Sequence, residues 1–445
     1  MRVMVLKMSA AVAIMALGAF GAAAATELPD RPLDLEGCVA LALEYNPSLT
    51  MAAQGVRASA AGLRRSASAY YPSALFLGTR GRTGGTSFLD TPTGSISFST
   101  STERSEAEVR LNQVVWEVGR KESVRSARHS LGASRAREQA AITDLVLAIA
   151  QRYYGALAAE QLVEVQQANL TAAGDHEKLV RARVAVGETA PVDVAPAEAD
   201  VAGAEFALLQ SKNNADLAKA QLKMEMGVPP TYRLRLAQPE KEGNGLTIPT
   251  LEECLALARE ERPELAAMRE DVAAGEESVR LAKLRQWGSL ALWAEYDIGI
   301  AGPMRGTETW AAVVSVAGVL FDDGSREADV EAARAGVESL KAQEQQLINS
   351  IGLEVESALL GVETAGKSVE AAQKAVASAE VQLAVAQGKY RQGVGIFVEI
   401  LDAQEAVARA RSNRVRSVFD HQTALVGLKR ATGTLTHSPE NEGGS

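Results

Sequence analysis

The chain has 445 residues, a formal net charge of −10, 4% aromatic residues and two cysteines. Alanine, leucine, valine, glutamate, arginine and glutamine dominate, which favours long helices over a set of bulky globular cores. The acidic balance excludes the basic stripe that nucleic-acid binding needs.

The N-terminus reads "MRVMVLKMSAAVAIMALGAFGAAAATELPD". Arg2 and Lys7 precede an apolar stretch from Met8 to Phe20, and an alanine run ends at Ala25. This pattern predicts a secretory signal peptide over residues 1–25, cleaved after Ala25. The stretch is too short to span a bilayer, and no cysteine stands at the cleavage site to carry a lipid. Losing Arg2 and Lys7 leaves 44 basic against 56 acidic residues, a net charge of −12. No later apolar span reaches helix-crossing length. The mature chain is therefore soluble outside the cytoplasm or inserted in a membrane as strands.

The chain is then written twice. "LEGCVALALEYNPSL" from Leu35 returns as "LEECLALAREERPEL" from Leu251, and "VVWEVGRK" (Val114–Lys121) as "VLFDDGSR" (Val319–Arg326). "RVAVGETAPVDVAPAEA" parallels "YRQGVGIFVEILDAQEA", pairing Gly187 with Gly393, Asp193 with Glu399 and, further on, Gly227 with Gly433. Ordered matches of this kind define two structural units. They are placed at 26–245 and 246–435, with a disordered tail at 436–445.

Each unit opens with a short helix that ends at Asn46-Pro47 or Arg262-Pro263, because a residue before proline avoids the helical region. A second helix follows, to about Ala69 or Arg285. Two strand-like segments come next. "EAEVRLN", "LALWAEYDI" and "WAAVVSV" alternate apolar and polar residues with period two, the mark of a sheet with two different sides. "TGGTSFLDTPTGSISFSTSTERS" between the first pair reads as a Gly/Ser/Thr-rich loop or strand tip.

Each unit then becomes one very long helix. Val362, Val369, Val376 and Leu383 recur every seven residues, and Ala365, Ala372, Ala379 and Ala386 follow three places behind, an a/d seam with alanine as the small partner. Ile142, Ile149, Ala156, Val163 and Leu170 keep the same period in the first unit. A helix from Arg326 to Gln392 would span roughly 100 Å and needs a partner, the nearest being the helix beyond the glycine turn. Glycine at Gly187 and Gly393 permits the reversal. Just past the second turn, Glu399 and Asp402 share a helix face in the first turns, where acids also compensate the helix dipole.

These segments together resemble the TolC-type outer membrane efflux proteins, the outer membrane factors. The residues carrying the likeness are "LDLEGCVALALEYNPSL", its repeat at Leu251, "VLFDDGSR" and "GVGIFVEILDAQEAVARA". The resemblance covers nearly the whole mature chain. It implies a mainly α fold with a transmembrane β-barrel, built from a duplicated unit of long coiled-coil hairpins plus two strands. Three copies, a homotrimer, would give a twelve-stranded barrel continued by an α-barrel of twelve rods. It also implies a passive exit duct for efflux or type I secretion. The duct would sit in outer membrane lipid of a Gram-negative bacterium, with a large periplasmic part. Its partners would be a periplasmic adaptor (membrane fusion) protein and an inner-membrane pump of RND or ABC type.

The resemblance also assigns roles at the tip. Glu399 and Asp402 match acidic rings at the pore constriction. Tyr390 and Asp193 match a latch that holds the tip shut. Gly187, Gly393 and Gly395 lie on turns that meet the adaptor. The family's arginine two residues after the turn glycine is Gly395 here, so that part of the latch is missing. Pro196 is expected to kink the start of its helix.

Cys38 and Cys254 occupy equivalent repeat positions. A disulfide is one reading. Two small buried residues on apolar helix faces is the other and preferred one. The four histidines are scattered, and no His/Cys/Asp cluster has metal-ligand spacing. No nucleophile elbow, Walker or dinucleotide motif occurs in its structural context. Neither enzyme activity nor a cofactor nor a metal is expected. The rival reading is a non-channel structural coiled coil of the envelope, against which the alternating strands count.

Overall fold

The computed structural model describes residues 31–188, 190–238, 249–284, 288–301, 306–319, 321–392 and 394–435. The expected signal peptide, the C-terminal tail, the unit boundary at 245/246 and Gly393 lie outside the described residues. The first unit contains α1 (Leu35–Tyr45), α2 (Pro47–Ser68), β1 (Ser73–Thr91), β2 (Gly94–Glu117), α3 (Arg120–Ala185), a 3₁₀ turn at Pro191–Asp193 and α4 (Val194–Met226). The second contains α5 (Leu251–Glu261), α6 (Pro263–Leu284), β3 (Ser289–Ala301), β4 (Thr307–Ala317), α7 (Ser325–Arg391) and α8 (Phe397–Ala431). Among the described residues no helix is long and apolar enough to cross a membrane.

Local chemistry sets the helix ends. The Asp34 carboxylate accepts the Gly37 N–H at 2.8 Å to start α1, and Thr250 with Glu253 forms a capping box at α5. Asn46 and Arg262 are extended, as residues before proline must be. The proline expected to kink its helix, Pro196, lies at the third residue of α4. Pro196 falls in the first turn of α4, where a backbone N–H has no intrahelical acceptor to lose, and the helix runs unbroken to Met226.

The strands form one antiparallel sheet in the order β1-β2-β3-β4. Of the two expectations for the Ser/Thr-rich segment, loop or strand tip, the structure takes the second: it is paired strand up to its turn. β1 and β2 have 19 and 24 residues and stay paired from Ser73–Asn112 to Thr91–Gly94, around a turn at Pro92-Thr93. Its threonines suit a pleated backbone, and polar side chains on both faces are stable where both faces meet water. Lower down, the register sorts the side chains by face. Phe76, Val109, Tyr296 and Trp310 form one row across all four strands, and Ala74, Leu111, Ala294 and Ala312 form the row two residues away. The rows between belong to the opposite face. Leu77, Glu108, Asp297 and Thr309 make one of them; Leu75, Arg110, Glu295 and Ala311 make the other. Arg110 pairs there with Glu108 at 2.7 Å and Glu295 at 2.9 Å. Trp293 lies on this charged side, between Asn112 and Val313.

The helices make four parallel rods. α3 and α7 are single rods of 66 and 67 residues. The other two are each assembled from two helices: α4 ends against the start of α2, and α8 ends against the start of α6. At those joints a Cβ added to Gly227 would lie 2.5 Å from the Tyr45 carbonyl, and one on Gly433 2.9 Å from Glu261. Side by side the order is α4/α2, α3, α8/α6, α7. The predicted seam is real: Val362, Ala372, Val376, Ala379 and Ala386 are buried on α7. The main core lies where α1 packs on α3, around Tyr153, Ile149, Leu157, Leu222 and Met226. Cys38 lies in that core and Cys254 in a separate one around Val355 and Leu265, so the two are free buried thiols. Burial, with Asp34 nearby, pushes the Cys38 thiol up to about 12.

The two joints use equivalent positions but different chemistry. Asn46 donates to the Glu225 carbonyl at 2.6 Å, and Arg262 donates to the equivalent Ala431 carbonyl at 3.3 Å. Arg262, 3% exposed, also holds Glu264 at 3.0 Å and Glu354 at 2.8 Å. Arg430 joins the same two acids and adds Asp144 of α3 at 2.7 Å. Arg262→Ala should lower stability by about 2–4 kcal/mol, because it strands partly buried carboxylates. Asn46→Ala, losing a cap and a neutral hydrogen bond, should cost about 1 kcal/mol. Urea melts of the detergent-solubilised protein measure both, and equal losses would remove any special weight from the arginine network. Burial opposes ionisation of Glu264, but the Arg262 hydrogen bond, a backbone hydrogen bond and the charges of Arg262 and Arg430 together hold its carboxyl below the usual range. That stabilisation is full above the ordinary carboxylate value and fades as pH falls through the lowered one. Arg262→Ala should therefore flatten the loss of stability in acid, as melts below about pH 4.5 would register.

Candidate functional site

At the end of the rods furthest from the sheet, two hairpin turns lie side by side. α3 closes with a Schellman motif: Gly187 N–H reaches the Val184 carbonyl at 3.1 Å and Glu188 N–H reaches the Arg183 carbonyl at 2.9 Å. Gly187 has φ +83°, a left-handed conformation that excludes most residues. The chain then turns through Pro191–Asp193 into α4. Beyond α7 the chain folds back more tightly. Val394 and Gly395 N–H groups both reach the Lys389 carbonyl, at 3.1 and 3.2 Å. A Cβ on Gly395 would lie 2.9 Å from the Lys389 Cβ and 3.0 Å from the Tyr390 nitrogen. The backbone approach therefore leaves no room at 395 for the arginine of the resemblance.

Tyr390 continues the seam by one more heptad after Leu383, and it is buried against Ile400 and Ala403 of α8. Two residues of the first hairpin close over its ring. The Arg183 guanidinium carbon lies 4.5 Å from the ring centroid. The His176 ring lies 6.0 Å away and tilted by 55°. An Arg183 N–H also points at the Tyr390 main-chain carbonyl at 3.4 Å. Burial is the largest cause holding His176 below the ordinary imidazole value; Asp200 of α4 works against it and Arg183 with it. His176 is thus neutral at neutral pH and sits beside the guanidinium without repelling it. Burial in turn raises Asp200, with His176 acting the other way.

The structure brings Tyr390 and Asp193 to neighbouring hairpins but does not join them. Among the described residues no hydrogen bond links the two, and the contacts to the Tyr390 side chain from the first hairpin fall on its ring. Glu399 and Asp402 do lie on the first turns of α8. Glu399 faces Lys389 across the turn at 3.6 Å, both half exposed, while Asp402 is exposed. The acidic pair therefore carries a counter-charge that the sequence reading lacked. That reading also lacked Arg183 and His176. Their seven-residue spacing on one helix face was the available signal, but it does not say which rod they meet. Around the turns Val186, Val192, Val394, Ile396 and Val398 are all exposed. Among the described residues no group of acids, histidines and cysteines could hold a metal ion.

Residues 38–228 and 254–434 match the family described as outer membrane efflux protein. The pyoverdine export outer membrane protein OpmQ of Pseudomonas putida is 23% identical over 314 residues, 69% of this chain. That match spans 66% of the relative's own length. Protein CyaE of Bordetella pertussis is 24% identical over 418 residues, 91% of this chain and 85% of the other. The CmeC outer membrane channel of Campylobacter jejuni shares the fold, with a TM-score of 0.76 at 17% identity over 90% of this chain and 85% of that one. Both repeated units are thus accounted for by one description, and the chain belongs to the outer membrane efflux protein family.

Proposed function

We propose that three copies of this chain close into a passive outer-membrane exit duct for efflux or type I secretion. One observation carries the reading: the chain has two unfinished flanks that complement each other. β1 and β4 are the free edges of the sheet, and a membrane tolerates no free edge. The outer rods continue the same flanks. On α4, Phe206, Leu209, Leu217 and Met224 are exposed, and on α7, Leu353, Leu360, Val381 and Val385 are exposed. Each set repeats at helical-seam spacing. Joining the α7/β4 flank of one copy to the α4/β1 flank of the next is a heterologous contact that closes into a ring. The aromatic row then faces lipid and the Arg110–Glu295 side faces a wet lumen.

The tip supports a partner reading as well. Five exposed valine and isoleucine side chains on two tight turns form an apolar end of the kind that binding covers. A periplasmic adaptor protein, joined to an inner-membrane pump, fits there, meeting the turns that carry Gly187 and Gly395. Glu399 and Asp402 would narrow the passage as acidic rings, each Glu399 partly neutralised by Lys389.

Leu209→Glu or Val381→Glu should convert a trimer in native mass spectrometry to monomer, since a carboxylate would be buried in the seam. Persistence of the trimer in both variants counts against the flank-to-flank ring. In planar bilayers the wild type should conduct with cation preference. Glu399→Ala or Asp402→Ala alone should weaken that preference. The double variant, which leaves Lys389 uncompensated, should turn it towards anions. Reversal potentials read the change, and unaltered potentials would remove these acids from the passage.

A further inference from the structure

We propose that Arg183, reaching over from the first hairpin, is the clamp that holds the second hairpin at the tip, by the ring face and the main-chain carbonyl of Tyr390. Its consequence for gating rests on the exit-duct reading, whereas the clamp itself rests on the geometry of one chain.

Arg183 is placed by the Schellman motif. Its own carbonyl is taken by Glu188 N–H, so the residue is anchored while its side chain projects towards the second hairpin. A guanidinium is planar and can stack on an aromatic ring, as an ammonium cannot. It stands where α3 and α7 both end, at the negative poles of two helices. Its acidic neighbour Glu188 is 4.0 Å away, at the limit of an ion pair, while the Tyr390 ring is in direct contact. Tyr390 is itself held by the seam against Ile400 and Ala403. Arg183 and His176 thus clasp a fixed ring, and pulling the hairpins apart must break that stack. The second hairpin has no space at Gly395 for an arginine of its own. The cation comes from the other hairpin instead.

A clamp through the ring and a latch through the hydroxyl give opposite results for Tyr390→Phe. The variants Arg183→Ala, Arg183→Lys, Tyr390→Phe and Tyr390→Leu, and the double variant Arg183→Ala/Tyr390→Leu, are compared in the full mature chain. Hydrogen exchange of peptides 176–190 and 383–400 reads the tip directly, and bilayer recording reads the open fraction. Arg183→Ala should raise tip exchange and open fraction by roughly two- to thirtyfold, and Arg183→Lys by less. Tyr390→Phe should match the wild type. The double variant should open no further than the more open of its two parents, because both act on one contact. Exchange in Arg183→Ala equal to wild type overturns the clamp. So does opening in Tyr390→Phe as large as in Arg183→Ala, which would return the role to the hydroxyl. A wild type that never conducts would count against the duct, while the exchange measurement would still decide the clamp.

Discussion

A helix of 66 or 67 residues cannot bury its apolar stripe in a compact globular core. It is about 100 Å long, and only another rod of equal length can cover it. That constraint explains why the chain is duplicated and why α4 and α8 are extended by α2 and α6 to full rod length. It also explains why the two outermost rods still show an apolar face. The same unfinished condition holds in the sheet, where β1 and β4 lack partners on the flanks that α4/α2 and α7 occupy. One assembly step would satisfy both, which is stronger support for a ring than either flank alone.

Duplication did not make the halves equal. Both end their hairpins with a glycine-closed turn, and both hand the last carbonyls of α4 or α8 to a residue just before proline. In the first unit that residue is Asn46, a short neutral donor. In the second it is Arg262, which with Arg430 gathers Glu264, Glu354 and Asp144 across four helices. The second joint is thus cross-linked to α3 of the first unit by charge, whereas the first joint depends on the apolar core around Tyr153 and Leu222. Buried charge of this kind contributes more to register than to net stability, and register is what two end-to-end helices need to act as one rod.

What the sequence showed follows the range of each interaction. The heptads of Val362 and Ala372 are local and periodic, so the rods and their turns were legible to within a residue or two. The alternation around Val109 and Tyr296 likewise revealed a two-sided sheet. The Ser/Thr-rich stretch of β1 and β2 left loop and strand tip both open, because its few apolar residues do not alternate over its whole length. Its pairing comes from being continuous with a ladder below it. Lys389 and Glu399 meet across a turn, and Arg183 and Tyr390 meet across two rods. No spacing within one helix encodes which rod lies beside which.

The same distinction separates the rod's two ends energetically. Near mid-length, where α1 and α5 pack on the rods, the seam is filled by Tyr153, Ile149, Leu157, Ile351 and Val355. Towards the tip it thins to Ala379, Ala386, Ala403 and Ala410, with Val376, Val407 and Ile400 between them. Burial scales with side-chain area, so each turn near the tip contributes less to holding the rods together. Local opening concentrates where apolar contact is sparse. Tyr390, at the last seam position, puts a large buried ring into that region. An arginine and a neutral histidine from the other hairpin close over it. If the tip opens, sparse packing at that end and the Arg183–Tyr390 contact are where it would give first. With the cation–ring contact at that end and the bulky seam residues elsewhere, separating the hairpin tips would leave the larger cores of the rods intact.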